Sequence, residues 1–208
     1  FVYQIRSAHA VDIKTSTDVD ALIDSLTLDE KIGQLMVISF GGTQIDDFIK
    51  KSITSVHAGA VALFSRNVES TIQLATFVRE LHATARKIPL FIAIDQEGGN
   101  VVRIKQSTTV LPSNMALGAA RSPLLAYLTG QALATDLRLI GINMNFAPVL
   151  DVNSNPDNPV IGIRSFGEVS DLVSELGISY IKGLQENGVV AVTKHFPGHG
   201  DTQNDSHF

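Results

Sequence analysis

The sequence predicts an α/β fold, a (β/α)₈ barrel of the TIM type. Short apolar runs rich in β-branched residues alternate with longer stretches of 3.6-residue spacing, which is typical of βα units and a parallel sheet. Polar residues follow the C-terminal ends of several different strands, as they do in barrels. A doubly wound sheet is less favoured, because Phe40-Gly41-Gly42-Thr43 stands after strand one in place of G-x-G-x-x-G.

The individual elements follow from periodicity and helix-start signals. The five predicted strands span residues 35–40, 59–64, 90–94, 144–150 and 189–193. The predicted helices begin near Thr17, at the capping boxes Thr27-x-x-Glu30 and Ser70-x-x-Gln73, and near Leu124, and the last ends at Asn187-Gly188. Two of these helices have clear apolar faces, made of Leu74, Phe77, Val78 and Leu81, and of Val173, Leu176, Tyr180, Ile181 and Leu184.

Composition narrows the possible partners. The chain has 208 residues, of which 44% are hydrophobic, so it can bury a core. Sixteen Lys and Arg against twenty-one Asp and Glu give a net charge of -5, which disfavours nucleic acid as a partner. The absence of cysteine excludes disulfides, thiolate zinc sites, iron–sulfur clusters and a cysteine nucleophile. No apolar run approaches the roughly 20 residues that a membrane span needs.

The N-terminal residues 1–16 are expected to be a leader or a disordered segment, followed by one domain over residues 17–208. Ser7-Ala8-His9-Ala10 ends in an A-x-A pattern like a signal-peptidase site, but no apolar h-region precedes it. Export and a cytoplasmic location therefore stay equally open.

The C-terminal segment concentrates titratable residues. Three of the six histidines fall within thirteen residues there. The segment's titratable residues are Lys194, His195, His199, Asp201, Asp205 and His207. A loop with so many titratable groups at a strand end points to function.

Asp205 and His207 are two residues apart, so the carboxylate could fix the imidazole tautomer and raise its basicity. His207 would then shuttle protons; the alternative is an Asx turn in which Asp205 caps the backbone. A third interpretation has His195, His199 and His207 ligate a divalent metal with Asp201 or Asp205. No H-E-x-x-H pattern supports that interpretation, so no metal is expected.

Two other loops carry candidate binding residues. Asp95-Gln96-Glu97-Gly98-Gly99 follows strand three, and Asp95 is the best candidate for binding hydroxyl groups; its alternative role is an N-cap. For Glu97, a ligand contact and a buried ion pair with Arg103 are equally compatible with the sequence. Arg164, in a turn-rich loop, could bind a substrate oxygen or bridge two barrel loops.

Five motifs in order give a specific resemblance. They are D-Q-E-G-G at 95–99, A-P-V-L-D at 147–151, R-S-F-G at 164–167, K-H-F-P-G-H-G-D-T at 194–202 and D-S-H at 205–207. Together they resemble glycoside hydrolase family 3, from about residue 20 onwards. The D-S-H segment is similar to that of the bacterial β-N-acetylglucosaminidase (β-hexosaminidase) branch rather than of the β-glucosidases.

The resemblance implies a (β/α)₈ barrel that removes terminal N-acetylglucosamine from β-linked glycans without a cofactor. The expected substrates are peptidoglycan fragments, muropeptide- or chito-oligosaccharide-like, cleaved with retention through a covalent glycosyl-enzyme. By position, His207 would be the general acid/base and Asp205 its partner. The residues expected to hold the sugar hydroxyls are Asp95, Arg164, Lys194 and His195.

Two departures from the family pattern stand out. Asn100 follows D-Q-E-G-G where members often carry Arg. The family's nucleophile is an Asp after a later strand, and no residue up to Phe208 matches it; the resemblance places Asp151 as a supporting residue. Because such a barrel needs about 250 residues, we expect only its N-terminal portion here, about five strands, unstable alone.

Three alternatives to hydrolysis by a retaining glycosidase stay open at this stage. The chain could be a catalytically inactive sugar-binding fragment, or a metal-dependent hydrolase that uses the C-terminal His/Asp cluster. Phosphorolysis is a further possibility, because a neutral histidine repels an incoming phosphate less than a carboxylate does.

Overall fold

The computed structural model of the protein describes residues 16–85 and 87–205. The chain forms two compact units that meet in sequence between Ala93 and Ile94. Within the described residues the five strands are β1 Val37–Ile38, β2 Ala60–Leu63, β3 Phe91–Ile94, β4 Met144–Asn145 and β5 Val190–Ala191. They form one parallel sheet in chain order, β1-β2-β3-β4-β5, so the predicted α/β class is confirmed.

Helices alternate with these strands along the chain. The helices of the described residues are α1 Ser16–Asp24, α2 Leu28–Gln34, α3 Asp47–Val56, α4 Thr71–Thr84, α5 Asn114–Ala120, α6 Pro123–Ile140 and α7 Ser170–Gln185. Short 3₁₀ turns occupy Ser65–Asn67 and Gly162–Arg164. None of the helices in this described part of the chain is long and apolar enough to cross a membrane.

Both predicted capping boxes lie at helix starts. At α2, Thr27 Oγ1 accepts a hydrogen bond from Glu30 N at 3.2 Å, and Glu30 Oε2 accepts from Thr27 N at 2.8 Å, so the box is complete. At α4, Ser70 Oγ accepts from Gln73 N at 3.1 Å, but Gln73 Oε1 accepts from Glu69 N instead of Ser70 N. Only the hydroxyl half of the second box is therefore formed.

The first unit, up to Ala93, packs helices α2 to α4 beside strands β1 and β2. Val37 and Ile38 pair with Ala60 and Val61, and all four β2 residues are buried. The predicted apolar face of α4 is confirmed: its buried residues are Leu74, Phe77, Val78 and Leu81.

Glu30 of α2 forms an ion pair with Lys87, whose Nζ lies 2.8 Å from Glu30 Oε1. Hydrogen bonds from Lys87 and then from the Thr27 backbone lower the pKa of Glu30 from 4.5 to about 2. The stabilisation from this ionised group is therefore present above about pH 4.5 and lost as pH falls towards 2.

Lys87→Met in the full-length protein is expected to raise the pKa of Glu30 towards 4.5, because the strongest donor to its carboxylate is removed. A carboxyl ¹³C NMR titration measures the change. Lys50→Met, which removes an exposed lysine of α3, is the control and should leave Glu30 unchanged. A Glu30 pKa still near 2 in Lys87→Met would contradict the prediction.

The second unit, from Ile94, is built on the helix pair α6 and α7. The two helices approach closely through small residues: a Cβ added at Gly130 would lie 2.3 Å from the Tyr180 carbonyl oxygen. A Cβ at Gly183 would lie 2.1 Å from the Tyr127 carbonyl oxygen. Most of the predicted apolar face of α7 is buried, with Val173, Leu176, Tyr180 and Leu184 in the core.

Strands β4 and β5 are shorter than predicted. Met144 and Asn145 pair with Val190 and Ala191, but the predicted ranges 144–150 and 189–193 are not continuous strands. Pro148 has no N–H to donate to the ladder. Pairing resumes beyond it, where Leu150 N donates to Lys194 O at 2.8 Å. The paired segment therefore reaches the loop that carries Lys194.

Strand β1 is also shorter than predicted, and two helices were not predicted. The backbone amides of Leu35 and Met36 donate to carbonyls of α2, so these residues end the helix instead of opening the strand. Helix α3 had a usable signal, because Asp46 precedes it as an N-cap and its buried residues Ile49 and Ile53 lie four positions apart. Helix α5 (Asn114–Ala120) has seven residues and none of them is charged, so its signal is weak.

Candidate active site

The loop that follows β3 is held by a buried side-chain amide on β4. Asn145 Oδ1 accepts from Gln96 N at 3.0 Å, and Asn145 Nδ2 donates to Gln96 O at 2.8 Å. The Gln96 side chain in turn accepts from Arg103 N and bonds to both backbone groups of Ile104. These contacts fix the peptide between Asp95 and Glu97 and so position both carboxylates.

Lys194 lies between those two carboxylates. Its Nζ is 2.8 Å from Asp95 Oδ1 and 2.5 Å from Glu97 Oε1. The Lys194 side chain is 14% exposed and that of Glu97 4%. Asp95 and Lys194, both predicted to bind hydroxyl groups, are therefore direct neighbours although 99 residues separate them.

Arg164 binds Glu97 with both arms of its guanidinium. Nε lies 2.9 Å from Glu97 Oε2 and Nη2 lies 2.8 Å from Glu97 Oε1. Burial alone would lower the pKa of Arg164, but its hydrogen bonds to Glu97 outweigh burial and raise it. Arg164 also donates to Val160 O of its own loop at 3.2 Å, so its guanidinium joins that loop to the one that carries Glu97.

Glu97 does form a buried ion pair, one of the two alternatives left open by the sequence, but its partner is Arg164 and not Arg103. Arg103 Nη2 instead contacts Asp95 Oδ2 at 3.4 Å. The planar guanidinium of Arg164 matches both oxygens of Glu97, and Lys194 supplies a further cation to it, so the Glu97 carboxylate is already paired. The Asp95 carboxylate contacts two cations, so it binds side chains and not a helix start.

Asp151 lies fully buried beneath two of the histidines. Its Oδ2 is 2.6 Å from His195 Nδ1, and its Oδ1 accepts from His199 N at 2.6 Å. Burial alone would raise the pKa of Asp151, but hydrogen bonds from His195 and from the His199 amide outweigh it. The pKa of Asp151 is therefore below its ordinary value. On its other side, His195 Nε2 lies 3.4 Å from Arg164 Nη2.

The K-H-F-P-G-H-G-D-T loop rests on the segment that follows Asp151. Asn158 Nδ2 donates to His199 O at 2.7 Å, and Ser154 Oγ donates to Asp201 Oδ1 at 2.9 Å. A Cβ at Gly200 would lie 1.8 Å from the Val152 carbonyl oxygen, so only glycine fits there. The part of the loop from His199 to Asp201 is therefore held by this neighbouring segment.

These contacts bear on the metal interpretation. The His199 ring lies 2.5 Å from Thr202 Oγ1, and the Asp201 carboxylate is bound by Ser154. Across residues 16–85 and 87–205, no group of three or more His, Asp or Glu side chains is arranged to hold a metal ion. His207 lies outside the described residues, so its pairing with Asp205 stays a prediction.

A cavity of about 240 Å³ opens beside this network. It is lined by Leu150, Asp151, Thr193, Lys194, His195, Phe196, Pro197 and Gly198. The Phe196 side chain is 98% exposed at its edge. The cavity therefore combines a cation and an imidazole with an aromatic surface, which suits a small polyhydroxylated ligand.

Sequence reasoning missed several residues that hold the site together. Asn145, Asn158 and Ser165 are buried polar residues, and Ser165 Oγ donates to the Asp151 carbonyl at 2.6 Å. A usable signal existed for Asn145, because an amide within the predicted apolar strand 144–150 needs hydrogen-bond partners once it is buried. Ser165 lies within the R-S-F-G motif, which gave it no role, and no local pattern marked Asn158.

The parallel sheet in chain order and the charged loops at its strand ends are typical of part of a (β/α)₈ barrel. Residues 27–208 match the glycosyl hydrolase family 3 N-terminal domain, and the chain belongs to this family. The resemblance seen in the motifs is thereby confirmed.

Its relatives are named for hexosaminidase activity. The chain is 37% identical to "Beta-hexosaminidase A" of Pseudoalteromonas piscicida over an alignment of 217 positions. The alignment covers 93% of this chain and 36% of that protein. It is 39% identical over 178 residues to the beta-hexosaminidase of Thioalkalivibrio sulfidiphilus, covering 83% and 51%. The chain thus spans about a third to a half of the length of these relatives.

Solved structures agree with this assignment. The family 3 β-N-acetylglucosaminidase of Paenibacillus sp. str. FPU-7 is 49% identical with a TM-score of 0.85, covering 88% of this chain and 35% of that one. NagZ from Neisseria gonorrhoeae, solved with N-trifluoroacetyl-D-glucosamine, is 35% identical with a TM-score of 0.76, covering 83% and 52%. The chain therefore has the fold of a TIM-barrel fragment.

Proposed function

We propose that the protein is an exo-β-N-acetylglucosaminidase and that this chain carries the residues that bind its terminal sugar. One observation carries the proposal: the four residues expected to bind hydroxyls converge in one network. Lys194 contacts Asp95 at 2.8 Å, and Arg164 lies 3.4 Å from His195. The relatives named beta-hexosaminidase support the sugar's identity.

The chemistry of these side chains suits a pyranose. Lys194 and Arg164 donate hydrogen bonds to hydroxyl oxygens, whereas Asp95 accepts from hydroxyl groups. Charge-assisted hydrogen bonds of this kind can strengthen as positive charge develops on the sugar ring in the transition state. The network is preformed because Glu97 and Asp151 already orient the cations and the imidazole.

The proposed reaction proceeds with retention through a covalent glycosyl-enzyme. His207, oriented by Asp205, would protonate the leaving glycosidic oxygen and then take a proton from the water that releases the sugar. No residue of this chain is assigned as the nucleophile. The proposed substrates are peptidoglycan fragments; the NagZ complex with an N-acylated glucosamine supports recognition of the sugar but leaves the aglycone to experiment.

The proposal is tested with the full-length protein on an aryl N-acetyl-β-glucosaminide. Asp205→Ala and His207→Ala are each expected to lower kcat about 100-fold, because proton transfer to the leaving group is lost. Asp157→Ala, at an exposed position, is the control. Wild-type turnover in both variants would contradict the acid/base pair. A wild-type protein that binds the sugar without turning it over would contradict the proposed activity.

A further inference from the structure

The buried Asp151 carboxylate contacts one side chain and one backbone amide of the same loop. Oδ2 faces His195 Nδ1 and Oδ1 accepts from His199 N, each at 2.6 Å. We infer that Asp151 is a positioning residue for the sugar site: it sets the tautomer of His195 and fixes the loop from His195 to His199. The inference rests on the proposed function for its kinetic consequences but not for its structural ones.

The tautomer follows from the two neighbours of the His195 ring. An ionised carboxylate only accepts hydrogen bonds, so the proton of the neutral ring lies on Nδ1, which faces Asp151. The Arg164 guanidinium only donates, and its Nη2 lies 3.4 Å from Nε2. Both neighbours therefore favour a lone pair on Nε2.

That lone pair changes what His195 can do for a sugar. Lys194 and Arg164 offer only donors, whereas Nε2 of His195, 3.4 Å from Arg164 Nη2, offers an acceptor. A sugar hydroxyl can donate to Nε2 while its oxygen accepts from a neighbouring cation. The opposite tautomer would present a third donor, and such a hydroxyl would lose its acceptor.

The second carboxylate oxygen of Asp151, Oδ1, also fixes the backbone of the loop. Both ends of the segment 195–199 contact the same carboxylate, and Ser165 Oγ donates to the Asp151 backbone carbonyl at 2.6 Å. Arg164 directly precedes Ser165. Asp151 thus links the segment that carries Arg164 to the loop that carries Lys194 and His195, in a fully buried setting.

Asp151→Asn in the full-length protein tests the inference. An asparagine keeps the shape, and its oxygen can still accept from His199 N, which turns its NH₂ group towards His195 Nδ1. The proton of His195 is then expected on Nε2. Long-range ¹H–¹⁵N NMR on protein labelled with ¹⁵N-histidine reads this directly, with the signals assigned by their loss in His195→Gln.

The kinetic expectation is a fall in kcat/KM of about 10- to 100-fold, expressed largely as a higher KM, because an acceptor for the sugar is lost. Asp157→Asn, the same change at an exposed site, is the control and should move neither the spectrum nor KM. An Asp151→Asn protein with an unchanged tautomer and KM would overturn the inference.

The wild-type spectrum is an independent check that does not depend on any variant folding. A wild-type His195 with its proton on Nε2 would overturn the inference by itself. A wild-type protein without turnover of the aryl glycoside would instead refute the proposed function, while the NMR result would still decide the role of Asp151. The two failures are therefore distinguishable.

Discussion

Replacing Glu97 by glutamine is expected to lower the free energy of unfolding by about 3–5 kcal/mol, the usual cost of breaking a buried ion pair from one side. Glu97 is 4% exposed and contacts both Arg164 and Lys194. A glutamine keeps the shape but has one accepting oxygen, and its NH₂ group faces a cation. At least one buried positive charge then loses its partner.

The same change is expected to lower kcat/KM on the aryl glycoside by about 100-fold, because displacing a substrate-binding group by about 1 Å has this effect. Denaturant unfolding and steady-state kinetics measure the two losses. Glu175→Gln, on the exposed face of α7, is the control and should change stability by less than about 0.5 kcal/mol. A wild-type free energy of unfolding and a wild-type kcat/KM in Glu97→Gln would show that the ion pair contributes to neither stability nor catalysis.

A double-mutant cycle separates the ion pair from other effects of the substitution. Glu97→Gln should be costly alone because it leaves the Arg164 cation without its carboxylate, and Arg164→Gln because it removes two hydrogen bonds from Glu97, which keeps only Lys194. The double variant should lose less than the sum, because both charges are gone. Strictly additive losses would contradict direct coupling between the two side chains.

Gly118→Ala is expected to destabilise the protein by about 3 kcal/mol, at the upper end of overpacking effects. A Cβ at Gly118 would lie 1.7 Å from the Phe166 carbonyl oxygen, which is backbone and cannot swing away. Helix α5 would have to move from the R-S-F-G loop. Since Asn114 Nδ2 of α5 donates to Arg164 O at 2.8 Å, the movement also displaces Arg164.

KM should therefore rise along with the loss of stability, by about 10-fold or more. Thermal unfolding and steady-state kinetics provide the measurements. Gly41→Ala is the matched control, because a Cβ at Gly41 meets no atom within 4 Å. A Gly118→Ala protein as stable as Gly41→Ala would contradict the prediction, because α5 and the R-S-F-G loop would then move apart without loss of stability.

Local patterns predicted much of the fold correctly. The capping box at Thr27 and the buried faces of α4 and α7 depend on residues within a few positions of each other, and the structure confirms them. Strand ends were less predictable. Leu35 is apolar enough for a strand, but its amide donates to a carbonyl of α2. Whether Leu35 joins the helix or the strand depends on where the helix ends, and local sequence does not specify that position.

In the candidate site, too, the residues themselves were predictable from sequence but their tertiary partners were not. The motifs predicted which residues belong to the site, and the family match confirms the family resemblance that the motifs gave. Their partners were not predictable from spacing. Arg103, near Glu97 in sequence, was a natural partner, yet Glu97 pairs with Arg164, which is 67 residues away.

The sequence by itself determined the family and the α/β class and predicted the chemistry-bearing residues, because motif identity and apolar periodicity are local properties of the chain. Only the tertiary structure decided which charges are paired. Glu97 meets Arg164 and Asp151 meets His195 across 67 and 44 residues, since loops at the ends of parallel strands are brought together by sheet order. Buried charges then pair with whichever partner packing brings within hydrogen-bond distance.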